Sequence, residues 1–137
     1  MSDPQRLVLD ASVGVKWFKP EAGRASALDL LRRAARGDLS LFVPTHFVHE
    51  VLSVVRRHYS ATDIVPAWEL MNGAGVTIVP LTDDLVAESA RQCEALSCSF
   101  YDALAPACAV LLDATLASAD GRAHGAFPGV LLLDEGV

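Results

Sequence analysis

Apolar runs of strand length alternate with segments of helical period along the whole chain. Leu7-Val8-Leu9 is a short unbroken apolar run that ends on Asp10, and it predicts a strand over residues 7–10. Residues 11–18 read as a short helix or turn. Residues 21–36 read as a longer helix with Ala25, Leu28, Leu30, Leu31, Ala34 and Ala35 on its inner side. Leu41-Phe42-Val43 is a second strand, stopped by Pro44. Residues 45–59 give a strong helical pattern. Phe47, Val48, Val51, Leu52, Val54 and Val55 fill one arc, and His49, Arg56 and Arg57 lie outside it. A helix over 62–71 ends in Asn72-Gly73-Ala74-Gly75. A strand over 76–79, helices over 83–96 and 101–112, and strands over 116–119 and 130–133 complete the pattern. Strands separated by helices call for a mostly parallel sheet with helices on both faces, an α/β class. No repeat, low-complexity tract or linker divides the chain, so residues 1–137 are expected to form a single domain. In open sheets of this kind, ligands bind beyond the carboxyl ends of strands, where the strand order switches.

Composition narrows the class. A chain of 137 residues buries roughly two thirds of its unfolded surface and needs no staples. No apolar run is long enough for a membrane span, and the polar start Met1-Ser2-Asp3-Pro4-Gln5 is unlike a secretory leader. Cys93, Cys98 and Cys108 are odd in number, lack C-x-x-C spacing and sit in apolar helical stretches. They read as buried thiols in a reducing cytoplasm. The net charge of −6 argues against phosphate binding, unless some of the acids form a metal site that supplies positive charge there.

Four acids stand where buried elements begin or end. Leu7-Val8-Leu9 runs into Asp10, and Thr115-Leu116-Ala117-Ser118-Ala119 runs into Asp120. Glu50 lies between Phe47-Val48 and Val51-Leu52, and Asp102 opens a nearly all-apolar helix. Each has a plain reading. Asp10 suits an N-cap, Glu50 a solvated helix edge, Asp102 the acid of a Ser99-x-x-Asp102 capping box, and Asp120 a turn with Gly121. A carboxylate beside apolar residues costs several kcal/mol without a partner, on the order set by desolvation. Four in one small domain point to a shared hard cation, for which carboxylate oxygens are the suitable ligands.

The stretches Val8-Leu9-Asp10-Ala11-Ser12, His49-Glu50-Val51-Leu52, Tyr101-Asp102-Ala103-Leu104 and Leu116-Ala117-Ser118-Ala119-Asp120 together resemble the four acidic motifs of PIN-domain ribonucleases, most of all the VapC toxins of VapBC toxin–antitoxin modules. The resemblance covers the chain in order and spacing. It implies an α/β/α sandwich with a five-stranded parallel sheet in order 3-2-1-4-5. It also implies RNA cleavage with Mg²⁺ or Mn²⁺, a VapB-like antitoxin partner, and a homodimer within a toxin–antitoxin complex. Carried over by position, Asp10, Glu50, Asp102 and Asp120 are the catalytic and metal-binding quartet. Asp10, Asp120 and Asp102 would take the ion, and Glu50 a coordinated water or second ion. Ser12 and Ser118 match hydroxyls that orient them. Two features depart: His49 stands where these toxins often have Asn, and Pro106 lies inside the Asp102 helix. A proline there frees the Asp102 carbonyl, which implies either a kink or a carbonyl that takes a site water.

Other chemistries fare worse. His46 and His49 are spaced i, i+3 but lack a third ligand with zinc spacing. His58 and His124 read as surface or core histidines. Neither serine belongs to a recognisable nucleophile motif, no glycine-rich phosphate loop is present, and Ser12 stands where an aspartyl-phosphate enzyme needs a second Asp. Lys16, Lys19 and Arg122, near the strand-end acids, are candidate contacts to an RNA substrate such as tRNA or rRNA. The arginines of residues 21–36 are RNA-facing or simply solvated. Trp17-Phe18 and Trp68 are core, or they line a groove for the antitoxin or a second copy. A PIN-like binding module without catalysis and a structure-specific DNA nuclease are the competing functions. Localisation is expected to be cytoplasmic.

Overall fold

β1 (Gln5–Leu9) is the centre of the molecule, and its apolar run explains why. Leu7, Val8 and Leu9 are each at most 1 % exposed, as expected of a strand covered on both faces. The structure, a computed structural model, describes residues 3–133. β1 pairs in parallel with β2 (Leu39–Pro44) on one side and β4 (Thr115–Ser118) on the other. With β3 (Thr77–Val79) and β5 (Leu131–Leu132) outside, the order is β3-β2-β1-β4-β5, all parallel. This is the order the resemblance implied.

The helices form a layer on each face. Leu7 and Leu9 pack with residues of α1 (Ala11–Phe18), α2 (Arg24–Ala35), α3 (Thr45–His58) and α4 (Ile64–Gly73). Val8 packs the other way, against α5 (Asp83–Leu96) and α6 (Phe100–Leu112). Successive strand residues point to opposite faces, so one three-residue run anchors both layers. Among the described residues no single helix is long and apolar enough to cross a membrane. α5 and α6 pass that test only as a pair bent by 111°, and α6 is buried from Ala103 to Ala109.

Several boundaries differ from the sequence pattern. α2 starts at Arg24, after Gly23 at φ 85°. Its inner residues include Ala27 and Leu30, whereas Ala25 and Ala35 are not among its buried ones. At about 100° per residue Ala25 lies roughly 160° around the helix from Ala27. A 3₁₀ turn, Ala61–Asp63, closed by a Ser60–Asp63 capping box, precedes α4. One element went unforeseen: α7 (Gly121–His124), a single turn after Asp120. The cysteines also need correction. Cys108 is buried, and burial pushes its thiol up to about 12, but Cys93 and Cys98 are only partly covered. They lie on the outer helix α5 and in the link to α6.

α1 carries the first acid, and its seat on α3 is tight. A Cβ on Gly14 would meet Phe47 Cε2 at 2.7 Å and Val51 Cγ2 at 2.8 Å, and both side chains are fully buried. Gly14→Ala is therefore expected to lower the unfolding free energy by about 1–3 kcal/mol, the usual range for overpacking. An unchanged urea midpoint would show that α1 is free to shift outward.

Candidate active site

Asp10 follows β1 directly. Its amide donates to the Ala117 carbonyl at 3.0 Å, which continues the β1–β4 ladder by one bond. Its Oδ2 accepts from the Ser12 amide at 3.0 Å and caps α1. Asp120 leaves the neighbouring strand and caps α7, with Oδ1 accepting from the Ala123 amide at 3.1 Å. The capping reading of Asp10 therefore holds, Asp120 proves to be a cap rather than only a turn residue, and each cap uses one carboxylate oxygen. At Asp102 only half of a capping box forms. Ser99 Oγ accepts from the Asp102 amide at 3.1 Å, while the Asp102 carboxylate has no hydrogen-bond partner among the described residues. Glu50 lies in the second turn of α3, about half exposed, with His46 Nε2 3.9 Å away.

The four acids, from four separate places in the chain, line one pocket of about 190 Å³ together with Ser12, His46 and Tyr101. No lysine or arginine lines it among the described residues. The free oxygens are hard donors of the kind Mg²⁺ and Mn²⁺ prefer. Among the described residues no three acids or histidines stand close enough to grip an ion directly between them. The set fits a cation that keeps several of its waters, as Mg²⁺ does.

A PIN domain family model matches residues 7–126. The chain belongs to the PIN-domain family. No curated protein sequence matches it. Its fold is similar to that of several solved toxin–antitoxin structures. The VapBC2 complex of Rickettsia felis bound to a promoter DNA fragment matches at TM-score 0.73 and 13 % identity, over 93 % of this chain and 97 % of that one. A toxin–antitoxin complex from Klebsiella pneumoniae matches at TM-score 0.70 and 15 % identity, over 91 % and 95 %. VapC20 of Mycobacterium tuberculosis, described as a toxin that cleaves the sarcin–ricin loop, matches at 0.65 and 17 %, over 90 % and 98 %.

In this PIN domain the floor of the acidic pocket is a hydrogen-bonded knot. Ser12 Oγ accepts from the Ala119 amide at 2.9 Å, and Ser118 Oγ accepts from the Asp120 amide at 3.0 Å. The two hydroxyl oxygens are 3.5 Å apart. His124, fully buried, puts Nδ1 2.7 Å from Ser118 Oγ and Nε2 2.7 Å from the Asp102 carbonyl. That carbonyl is the one Pro106 frees, so a histidine rather than a water takes it. The sequence placed His124 in the core as one of two options and marked the Asp102 carbonyl as freed by Pro106, without joining the two. The available signal was the coincidence of a proline four residues after Asp102 and a histidine four residues after Asp120.

The basic candidates divide. Lys16 does not face the acids. It is 6 % exposed, its Nζ donates to the Ala22 carbonyl at 2.6 Å, and it pairs with Glu21 at 3.2 Å. It is spent inside the α1–α2 turn and is corrected as an RNA contact. Lys19 shares Glu21 at 3.5 Å from a more open position. Arg122 is exposed on α7 beside Asp120. Two unforeseen residues belong to the pocket wall: His46 and Tyr101 stack with ring centroids 4.4 Å apart, and Tyr101 is 63 % exposed.

Ser118→Ala leaves the Asp120 amide and the buried His124 Nδ1 without their shared partner. The unfolding free energy is expected to fall by about 1–3 kcal/mol, the scale for an orphaned buried polar group. Equal stability of variant and parent in urea would mean that water replaces the hydroxyl at no cost.

Proposed function

We propose that the protein is a VapC-type toxin: a metal-dependent endoribonuclease that cuts RNA at the four-acid pocket and is restrained by a VapB-like antitoxin in the cytoplasm. The observation that carries the reading is the convergence of Asp10, Glu50, Asp102 and Asp120 on one pocket without a neutralising lysine or arginine among the described residues. An RNA phosphate would not enter such a pocket unaided. A bound Mg²⁺ or Mn²⁺ would neutralise phosphate charge and lower the pKa of a water at neutral pH. Asp10, Asp102 and Asp120 would hold it through their uncapped oxygens, with Glu50 orienting a water. Ser12 and Ser118 fix the mounts of the two strand-end acids, and the caps keep those carboxylates from turning. Arg122, and Lys19 if released from Glu21, would meet flanking phosphates. The exposed Tyr101 ring, stacked on His46 at the pocket wall, offers a face on which an unpaired base can stack. Looped regions of tRNA or rRNA are therefore the substrate class favoured over duplex.

Antitoxin recognition falls to a second surface. An apolar cleft of about 340 Å³ is lined by Trp17, Phe18, Val55, Tyr59, Pro66 and Leu70. Trp17 forms its buried floor, with Nε1 donating to the Ala27 carbonyl at 2.9 Å. At its edge Arg24 Nε is buried without an acceptor among the described residues. An apolar antitoxin segment that carries an acceptor suits this cleft, and an antitoxin arginine reaching the four acids would displace the metal. Phe100, Val110 and Leu111, exposed on α6, suit a homodimer face. The second reading, a PIN-like module without catalysis, is favoured by one observation: among the described residues no three acids or histidines are close enough to clasp an ion.

Purified free of any partner, the protein is expected to cut single-stranded or looped RNA endonucleolytically with Mg²⁺ or Mn²⁺ and not in EDTA. Asp10→Asn, Asp102→Asn and Asp120→Asn should each lose about 100-fold or more, the scale of removing a charge-stabilising group. Glu50→Gln should lose less, and double variants little more than single ones. The metal should raise the melting temperature of the parent and not of Asp10→Asn. Cleavage that persists in EDTA, or a fully active Asp120→Asn, would remove the acids as the catalyst. Absence of cleavage with every RNA and metal tried would leave the binding-module reading.

Expression alone should arrest growth, and coexpression with a cognate VapB-like antitoxin should relieve the arrest and yield a complex. Trp17→Ala is buried and risks the fold, so Leu70→Glu, at the exposed lip of the cleft, is the cleaner probe. It should abolish copurification while leaving cleavage intact. Harmless high-level expression of active enzyme would contradict a toxin.

A further inference from the structure

We infer that His124 is a positioning residue, whose imidazole ties the Asp102 carbonyl to the Ser118 hydroxyl and so holds the Asp102 and Asp120 carboxylates at a fixed separation. The inference rests on the reading of the four-acid pocket as a metal site, and it assigns a role to a residue outside the four acidic motifs.

Pro106 creates the need that His124 meets. A helix interior gives each carbonyl a partner four residues on, and Pro106 has no N–H to give Asp102. The His124 ring stands 2.7 Å from that oxygen. A carbonyl only accepts, so Nε2 carries the proton. Nδ1 then presents its lone pair 2.7 Å from Ser118 Oγ, and the serine proton completes the bond. Ser118 Oγ keeps lone pairs for the Asp120 amide at 3.0 Å and for the Ser12 hydroxyl at 3.5 Å. With the hydrogens placed this way, every donor in the chain from Asp120 to Asp102 has an acceptor. His124 Nε2 is also 4.0 Å from Asp10 Oδ1, so the ring lies directly behind the acids without bonding the pocket oxygen of Asp10.

The consequence is geometric. Asp102 is carried by α6 and Asp120 by the β4–α7 link, two separate elements. The imidazole is rigid and flat, is 0 % exposed, and is bonded at both ends. It spans the gap with one side chain and fixes the distance between two backbones that each bear a carboxylate. A merely space-filling residue would need volume here, but neither nitrogen.

The test is Mn²⁺ affinity, read by the loss of free Mn²⁺ signal in electron paramagnetic resonance, with His124→Phe, His124→Gln, and His124→Phe combined with Pro106→Ala. Phenylalanine keeps bulk and loses both bonds, so Mn²⁺ should bind about 10-fold more weakly, the usual effect of losing an outer support of a metal site. Glutamine donates and accepts across a similar span and should recover most of the affinity. The Pro106→Ala change restores an N–H to the Asp102 carbonyl but no link to Ser118. The double variant should therefore regain stability in urea without regaining affinity, a split that a purely structural role does not produce. Should His124→Phe fail to fold, the Gln variant and the imidazole ¹⁵N correlation spectrum of the parent decide, with protonated Nε2 expected. Parent-like affinity in His124→Phe, or a proton on Nδ1, would overturn the positioning role alone. A parent that binds no Mn²⁺ would overturn the metal-site reading and this inference with it.

Discussion

The parallel register of β1 on β4 is the constraint from which the site follows. Leu9 stands opposite Ala117, so Asp10 leaves the sheet beside the segment from Ser118 to Asp120. That register is enforced by burial on both faces. Leu7 and Leu9 fill one apolar layer and Val8 the other, with Leu116 in the same layer as Val8 and Ala117 opposite. A slip of one residue would exchange the layers of every side chain in the strand. A slip of two would keep the faces but break the Ser12 bond to the Ala119 amide and the approach of Ser12 to Ser118. Packing far from the acids thus decides where they meet.

Capping and site formation are usually weighed as rivals for a strand-end aspartate, yet here the first enables the second. Each cap bond holds one oxygen of Asp10 or Asp120 against a main-chain N–H group and leaves the other oxygen for the pocket. The amide bond offsets part of the cost of a carboxylate beside apolar strands. It also removes the rotational freedom that would blur a ligand's position. Among the described residues no lysine or arginine lines the cluster. Lys16, on the helix that Asp10 caps, is turned into the α1–α2 turn and held by Glu21 and the Ala22 carbonyl.

The layers and the strand-end acids were legible because they rest on local pattern, whereas the strand order came only with the resemblance. Apolar runs bounded by Pro, Gly and Asp mark the strands, and Asp10 and Asp120 sit at the ends of two such runs. What escaped depends on contacts between distant segments or on short-range bonds that hydropathy does not record. His46 and Tyr101 stack across 55 positions of sequence, and no periodicity in α3 or α6 anticipates that contact. Lys16 looked free because its partners lie in a loop whose shape is set by Gly23 in a left-handed conformation. The single turn of α7 is too short to give a period and is held by the Asp120 cap. Cys93 and Cys98 were read from apolar neighbours, but one lies on the open side of α5 and the other in the link that follows it.

Pro106 shows how a local defect becomes a tertiary connection. In an ordinary helix interior a proline costs about 3 kcal/mol through the lost bond and the clash with the preceding turn. In α6 the lost bond is replaced at 2.7 Å by a side chain from a segment 22 residues away. The orphaned carbonyl is therefore what gives His124 a reason to be buried with both nitrogens satisfied. A residue with an N–H at position 106 would close the α-helical bond, and the imidazole would then share the Asp102 carbonyl through its second lone pair. The proline leaves the carbonyl free, and the histidine takes it. Their joint product is a fixed spacing between the first turn of α6 and the end of β4, where two of the four acids stand.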